Sequence, residues 1–170
     1  MRVDVRPAQP ADEAALAGLR HLALRGLAAR RGGPPLLGEL EERARRRRTA
    51  ADPFGTWVGA LEGLAVGYAV AEADLSASPA LGRVTELWVE PAARCVGLGE
   101  SLLSAACSWL AGQGVEAIDC LALPGDRETK RLLESAGFAA RLLVMRRGAA
   151  ASEGATASEG ATASEGGGQA

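Results

Sequence analysis

Val84-Thr85-Glu86-Leu87-Trp88-Val89-Glu90-Pro91-Ala92-Ala93-Arg94-Cys95-Val96-Gly97-Leu98-Gly99 is the stretch in which the chain changes character. Residues 84–89 are β-branched, aromatic or aliphatic apart from Glu86, which is the composition of a central strand. Pro91 closes that strand. Beyond Gly97, Leu98, Leu102, Ala105, Ala106 and Trp109 recur at helical spacing on one face, and Gly112-Gln113-Gly114 supplies a stop. Glycines 97 and 99 occupy the turn between strand and helix. There they let main-chain amides come close to an anion, and the unpaired N–H groups of a new helix favour a phosphate. The same turn can need glycine for its dihedrals alone, and both readings stand at this level. A dinucleotide fingerprint would require a third glycine where Leu102 stands, and a Walker loop a Gly-Lys-Ser/Thr; neither is present.

Upstream, Arg2-Val3-Asp4-Val5-Arg6 alternates as a half-buried strand does, and Pro7 and Pro10 end it. Asp12 is placed to cap a helix carrying Leu16, Leu19, Ala23 and Leu27, which Gly32-Gly33-Pro34-Pro35 would terminate. A second helix is expected over about residues 36–51, with glutamates 39, 41 and 42 early and five arginines between 43 and 48 late, as the helix dipole prefers. Residues 56–61 and 65–70 read as a hairpin joined through Glu62-Gly63. Downstream come a strand over 117–122, a helix with Leu132 and Leu133, and a last strand over 138–145. The order βααβββαβαβ predicts an α/β sandwich: one mixed, mostly antiparallel sheet of about six strands flanked by about four helices.

The length of 170 residues suits one domain, expected over 1–147. Residues 148–170 repeat Ala-Ser-Glu-Gly-Ala-Thr and offer no apolar face to offset the entropy of ordering, so a disordered tail is expected there. The net charge of -2 gives no general attraction to nucleic acid or anionic membranes, and three of the acids lie in the tail. The arginine run at 43–48 has no interleaved aromatics and reads first as a solvated helix end, with a substrate-phosphate or acidic-partner contact as the other reading. Cysteines 95, 107 and 120 are odd in number and lack a C-x-x-C pair, and no apolar leader or membrane-length run is seen. A reduced, cytoplasmic setting is expected, without membrane or nucleic-acid partners. Frequent Arg, Ala and Gly with a single lysine, Lys130, suggest a GC-rich bacterial source. His21 has no ligand-spaced partner, so no metal is expected.

The segment 87–103 resembles the acetyl-CoA motif of the GNAT N-acetyltransferase superfamily, Arg/Gln-x-x-Gly-x-Gly/Ala, through Arg94, Gly97 and Gly99. Val5-Arg6-Pro7-Ala8 with Ala11-Asp12, and Glu134-Ser135-Ala136-Gly137-Phe138, extend the likeness over about residues 2–147. The resemblance implies acetyl-CoA as co-substrate, an amine acceptor, direct attack in a ternary complex, and a monomer or homodimer. It implies a sheet that splays after the fourth strand. It also implies that Arg94, Cys95, Val96, Gly97, Leu98 and Gly99, with Glu100 and Ser101 opening the helix, hold the pyrophosphate. Leu87, Trp88 and Val89 would border the pantetheine arm, with main-chain groups of Leu87 and Val89 pairing with it. Cys95 stands where many relatives carry a basic residue or glycine, which would make coenzyme binding sensitive to thiol oxidation.

An amine with a reference pKa near 10.4 is almost wholly protonated at neutral pH, so attack on a thioester needs a base, direct or through water. Glu86 is the candidate, the one carboxylate within the apolar strand ahead of the turn. The alternative for Glu86 is a structural ion pair, with Arg83 for example; Glu72 and Asp119 have weaker claims by position. Leu133 departs from the family, whose tyrosine there would protonate the leaving thiolate. Tyr68 or Ser135 could substitute, and the departure leaves a CoA-binding domain without turnover as the rival reading.

Overall fold

In the computed structural model, which describes residues 2–47 and 52–145, β1 (Val3–Pro7) pairs antiparallel with β2 (Phe54–Leu61). The chain then turns through Glu62 and Gly63, at φ 49° and 85°, into β3 (Leu64–Asp74). Two positive φ values in succession match the twist of a two-residue hairpin. β3 pairs antiparallel with β4 (Leu81–Val89), and β4 runs parallel to β5 (Ala117–Cys120), giving the order β1-β2-β3-β4-β5. α1 (Glu13–Ala28) and α2 (Gly33–Arg47) lie between β1 and β2 in sequence, α3 (Leu98–Gly112) crosses from β4 to β5, and α4 (Arg127–Ser135) follows. Short 3-10 turns occupy Pro10–Asp12 and Pro91–Ala93.

The larger core fills one face of the sheet, where Leu98, Leu102, Leu103, Ala106 and Leu110 of α3 are buried against Trp57, Val84, Val89 and three alanines of β3. Ala69, Ala71 and Ala73 are fully buried and let α3 sit close to the strands. Trp57 and Trp109 meet edge to face, with centroids 5.6 Å apart. Leu133 of α4 joins this cluster. The opposite face holds a smaller cluster, Leu19 of α1 against Tyr68 and Val70 of β3, with Leu16 and Trp88 at its edge. No helix among the described residues is long and apolar enough to cross a membrane.

Several expectations are corrected. Gly33, Pro34 and Pro35 begin α2 instead of ending α1, because a first turn needs no N–H from proline and its fixed φ suits the helix. Asp12 stands at the start of α1 but makes no side-chain cap. Its carboxylate accepts from the Arg6 guanidinium at 2.6 and 2.8 Å and from the Gln9 N–H at 2.8 Å. The Arg6 contact holds the Asp12 pKa down at about 2. The last strand, expected over 138–145, is not formed. The Phe138 N–H instead closes α4 on the Leu133 carbonyl at 3.0 Å, beside Gly137 at φ 85°, and β5 ends at Cys120. The chain divides into two units, 1–139 and 140–170; in the second, residues 140–145 form neither helix nor strand. The expected end of the second helix over 48–51 and the repeat tail lie outside the described residues.

Leu102 is wholly buried and Leu22 is 46% exposed. Urea unfolding should show Leu102→Ala losing about 2–5 kcal/mol and Leu22→Ala changing stability by about 0.5 kcal/mol or less.

Candidate active site

β3 and β4 are out of step by one residue. Val70 pairs with Glu86 and Ala71 with Val84, so Thr85 has no partner in the ladder and forms a bulge. Its hydroxyl donates to the Val70 carbonyl at 3.3 Å. In a regular strand Val84 and Glu86 would share a face, since side chains alternate with period two. With Thr85 inserted, Val84 joins the α3 core while Glu86 turns to the opposite face beside Tyr68 and Val70. The last β4–β5 pair is Val84 with Cys120, so Glu86 is the second residue past the point where the two parallel strands part.

On that face Glu86, Arg20, Tyr68, Thr56, Leu16 and Val70 line a cavity of about 150 Å³. The Glu86 side chain is 3% exposed. Arg20 Nε donates to Glu86 Oε2 and Arg20 Nη2 to Oε1, each at 3.0 Å, a forked contact of the kind that fixes both groups in a plane. Tyr68 Oη donates to Glu86 Oε2 at 3.1 Å. The ion pair foreseen as the alternative for Glu86 therefore exists, with Arg20 in place of Arg83, which pairs with Asp74 at 3.4 Å. Arg20 was not singled out from sequence, yet it stands one turn after Leu16 and next to Leu19, a charge set into the apolar stripe of α1.

The glycine turn begins where β4 ends. The Glu90 N–H donates to the Val66 carbonyl at 2.8 Å. By the alternation of an antiparallel ladder, Trp88 directs its main chain toward β3, and Leu87 and Val89 direct theirs to the open side where β5 has ended. The Val89 carbonyl on that side accepts from Arg94 Nε at 3.1 Å, and Arg94 Nη1 reaches Glu128 of α4 at 2.9 Å. Cys95 and Gly97 are both left-handed, at φ 65° and 80°, on either side of Val96. Such a turn aims successive N–H groups into a concavity suited to an anion. Gly97 gives α3 no side-chain cap, so the N–H groups opening that helix meet no side-chain acceptor from it.

Of the residues expected at the coenzyme, Arg94, Cys95, Val96 and Gly97 lie in the turn between β4 and α3, and Leu98, Gly99, Glu100 and Ser101 open α3. Ser101 Oγ donates back to the Gly97 carbonyl at 3.0 Å. Leu98 is 1% exposed and packs in the α3 core. The Trp88 ring lies on the α1 face with the smaller cluster, away from the turn. Leu133 is buried in the α3 core and has no proton to give. Asp119 pairs across the ladder with Arg83, and Glu72 lies 3.7 Å from Arg43; neither lines the Glu86 cavity. Arg45 and Arg46 pair with Glu42, so part of the arginine run is answered within its own helix.

Residues 24–138 match the model of the Acetyltransferase (GNAT) family. No match is found among curated proteins. Among solved structures, a Trypanosoma brucei acetyltransferase is 25% identical, with TM-score 0.59, covering 86% of this chain and 99% of that one. A Pyrococcus furiosus protein described as a candidate acetyl transferase is 18% identical, with TM-score 0.65 and the same coverages. The aminoglycoside N-acetyltransferase AAC(6')-Iy, solved with a CoA-linked bisubstrate analogue, is 18% identical, with TM-score 0.61 and coverages of 86% and 99%. The two likenesses at 18% are likenesses of fold.

The three thiols differ sharply in surroundings. Cys95 is exposed in the turn, while burial pushes the Cys107 thiol up and the Cys120 thiol up to about 12. A disulfide-exchange reagent at pH 8 should therefore label Cys95 first in the folded protein, and Cys120 only after denaturation, as mass spectrometry of the labelled peptides would show.

Proposed function

From the premise that the chain belongs to the GNAT acetyltransferase family, we propose that it transfers acetyl from acetyl-CoA to a primary amine, by direct attack in a ternary complex. The observation that carries this reading is the placement of a buried carboxylate, Glu86, two residues past the parting of β4 and β5 and in the lining of a cavity. The residues at the turn fit the coenzyme. The left-handed pair Cys95 and Gly97 and the uncapped start of α3 suit a pyrophosphate, and Leu87 and Val89 keep main-chain groups on the open side of β4.

Acetyl-CoA supplies the acetyl thioester. The amides of residues 94–99, with Glu100 and Ser101, would hold its pyrophosphate. Main-chain groups of Leu87 and Val89 would hold the arm, Arg94 yielding the Val89 carbonyl, and a β4 N–H on the open side would stabilise the negative oxygen that forms during transfer. Glu86 would take the proton from the acceptor amine, directly or through water, and Arg20 and Tyr68 fix its orientation. With Leu133 aprotic, the departing thiolate leaves unassisted; a thiol with a pKa near 8.5 is a tolerable leaving group. Leu133 is also what favours the second reading, a domain that binds acyl-CoA without turnover. Aminoglycosides are acceptors for fold neighbours.

Calorimetric titration with acetyl-CoA should show saturable binding, and thiol release should follow on adding amines. Glu86→Gln should lower kcat by about 10²-fold or more while coenzyme affinity holds, and Gly97→Ala, strained at φ 80°, should weaken coenzyme binding. Binding with no thiol release from any amine would favour the second reading; no binding would defeat both.

A further inference from the structure

Among the described residues, the cavity beside Glu86 is lined by one carboxylate and one guanidinium and by no second acid. A polycation such as an aminoglycoside or polyamine has little there to answer its additional charges, because the one acid is already shared with Arg20. At about 150 Å³ the cavity is also smaller than the roughly 300–1,000 Å³ typical of drug-sized ligands. Charge and size both point to a small acceptor close to neutral overall.

Arg20 narrows the class further. Its Nε and Nη2 serve Glu86, while Nη1 makes no hydrogen bond among the described residues, and the side chain lines the cavity and is 37% exposed. A guanidinium has two forked edges, and the one bounded by Nη1 and Nη2 remains turned from Glu86 with donors spaced for a planar oxyanion. Because Glu86 already holds the guanidinium in place, a ligand taking that edge loses less side-chain freedom on binding. Leu16 and Val70 give the cavity apolar walls.

We propose that the acceptor is an α-amino acid with an aliphatic side chain. Its carboxylate takes the outer edge of Arg20, its amine lies at Glu86 and Tyr68, and its side chain rests on Leu16 and Val70. Arg20 and Glu86 are in direct contact at 3.0 Å, so the two charges of the acceptor must also be close, as they are on one α-carbon. In the reaction the amine nitrogen bonds to the thioester carbonyl carbon as the carbon–sulfur bond breaks. The sulfur keeps the electron pair, and the proton lost by nitrogen passes through Glu86 to solvent or to the thiolate. The products are an N-acetyl amino acid and CoA.

This inference rests on the acetyl-transfer reading above, and one assay separates their failures. Thiol release from acetyl-CoA is followed with matched sets: each aliphatic amino acid, its amide, and the amine left by removing its carboxyl group, for example leucine, leucinamide and 3-methylbutylamine. The wild-type chain should favour a free acid over its amide and amine by at least about tenfold in kcat/KM, the scale of a charged hydrogen bond. Arg20→Met should erase that ratio chiefly through KM for the acid, and Arg20→Lys should retain part of it. Because the ratio is taken within each protein, a general loss of activity from disturbing Glu86 does not mimic the result, and the wild-type ratio stands even if the variants fail to fold. Equal or better use of amides and amines by the wild type would overturn the amino-acid assignment and leave acetyl transfer intact. No thiol release with any compound would overturn both.

Discussion

One unpaired residue sets the geometry on which the site depends. Thr85 has no ladder partner on β3, and that single insertion sends Val84 into the α3 core and Glu86 to the other face. Without it a carboxylate would be driven among the leucines of α3, where an unanswered charge costs several kcal/mol. The bulge therefore reconciles a hydrophobic strand with a charged residue inside it. It does so next to the place where β5 stops and the open edge of β4 begins.

The Arg20–Glu86 pair follows from the same constraint. Desolvating two charges is rarely repaid in stability, and apolar residues of similar volume often serve a core at least as well. A forked ion pair with a tyrosine hydroxyl on one carboxylate oxygen is thus poorly explained as a device for stability. The proposed acceptor site would give it a purpose, by orienting a carboxylate and holding a guanidinium in the lining of the cavity.

Much of the scaffold was legible because local signals agreed. The strand, proline, double glycine and amphipathic helix across 84–112 led directly to β4 and α3, and Glu62-Gly63 located its hairpin. Glu86 could be picked out as the one acid in an apolar strand, but its partner could not. Arg20 is 66 residues away on another element, and only the folded packing of α1 over β3 brings the two together. The bulge has no marker in the letters Val84-Thr85-Glu86, since any of these residues sits comfortably in a regular strand. The strand expected over 138–145 is not formed, and at its start the Phe138 N–H closes α4.

The most direct test of this account is a crystal structure of the full chain with CoA bound. The account predicts the diphosphate on the main-chain N–H groups of residues 95–99, the arm along the open side of Leu87 and Val89, and the sulfur at the Glu86 end of the split. Density for CoA on another surface, or a sulfur directed away from the Arg20–Glu86 cavity, would contradict it.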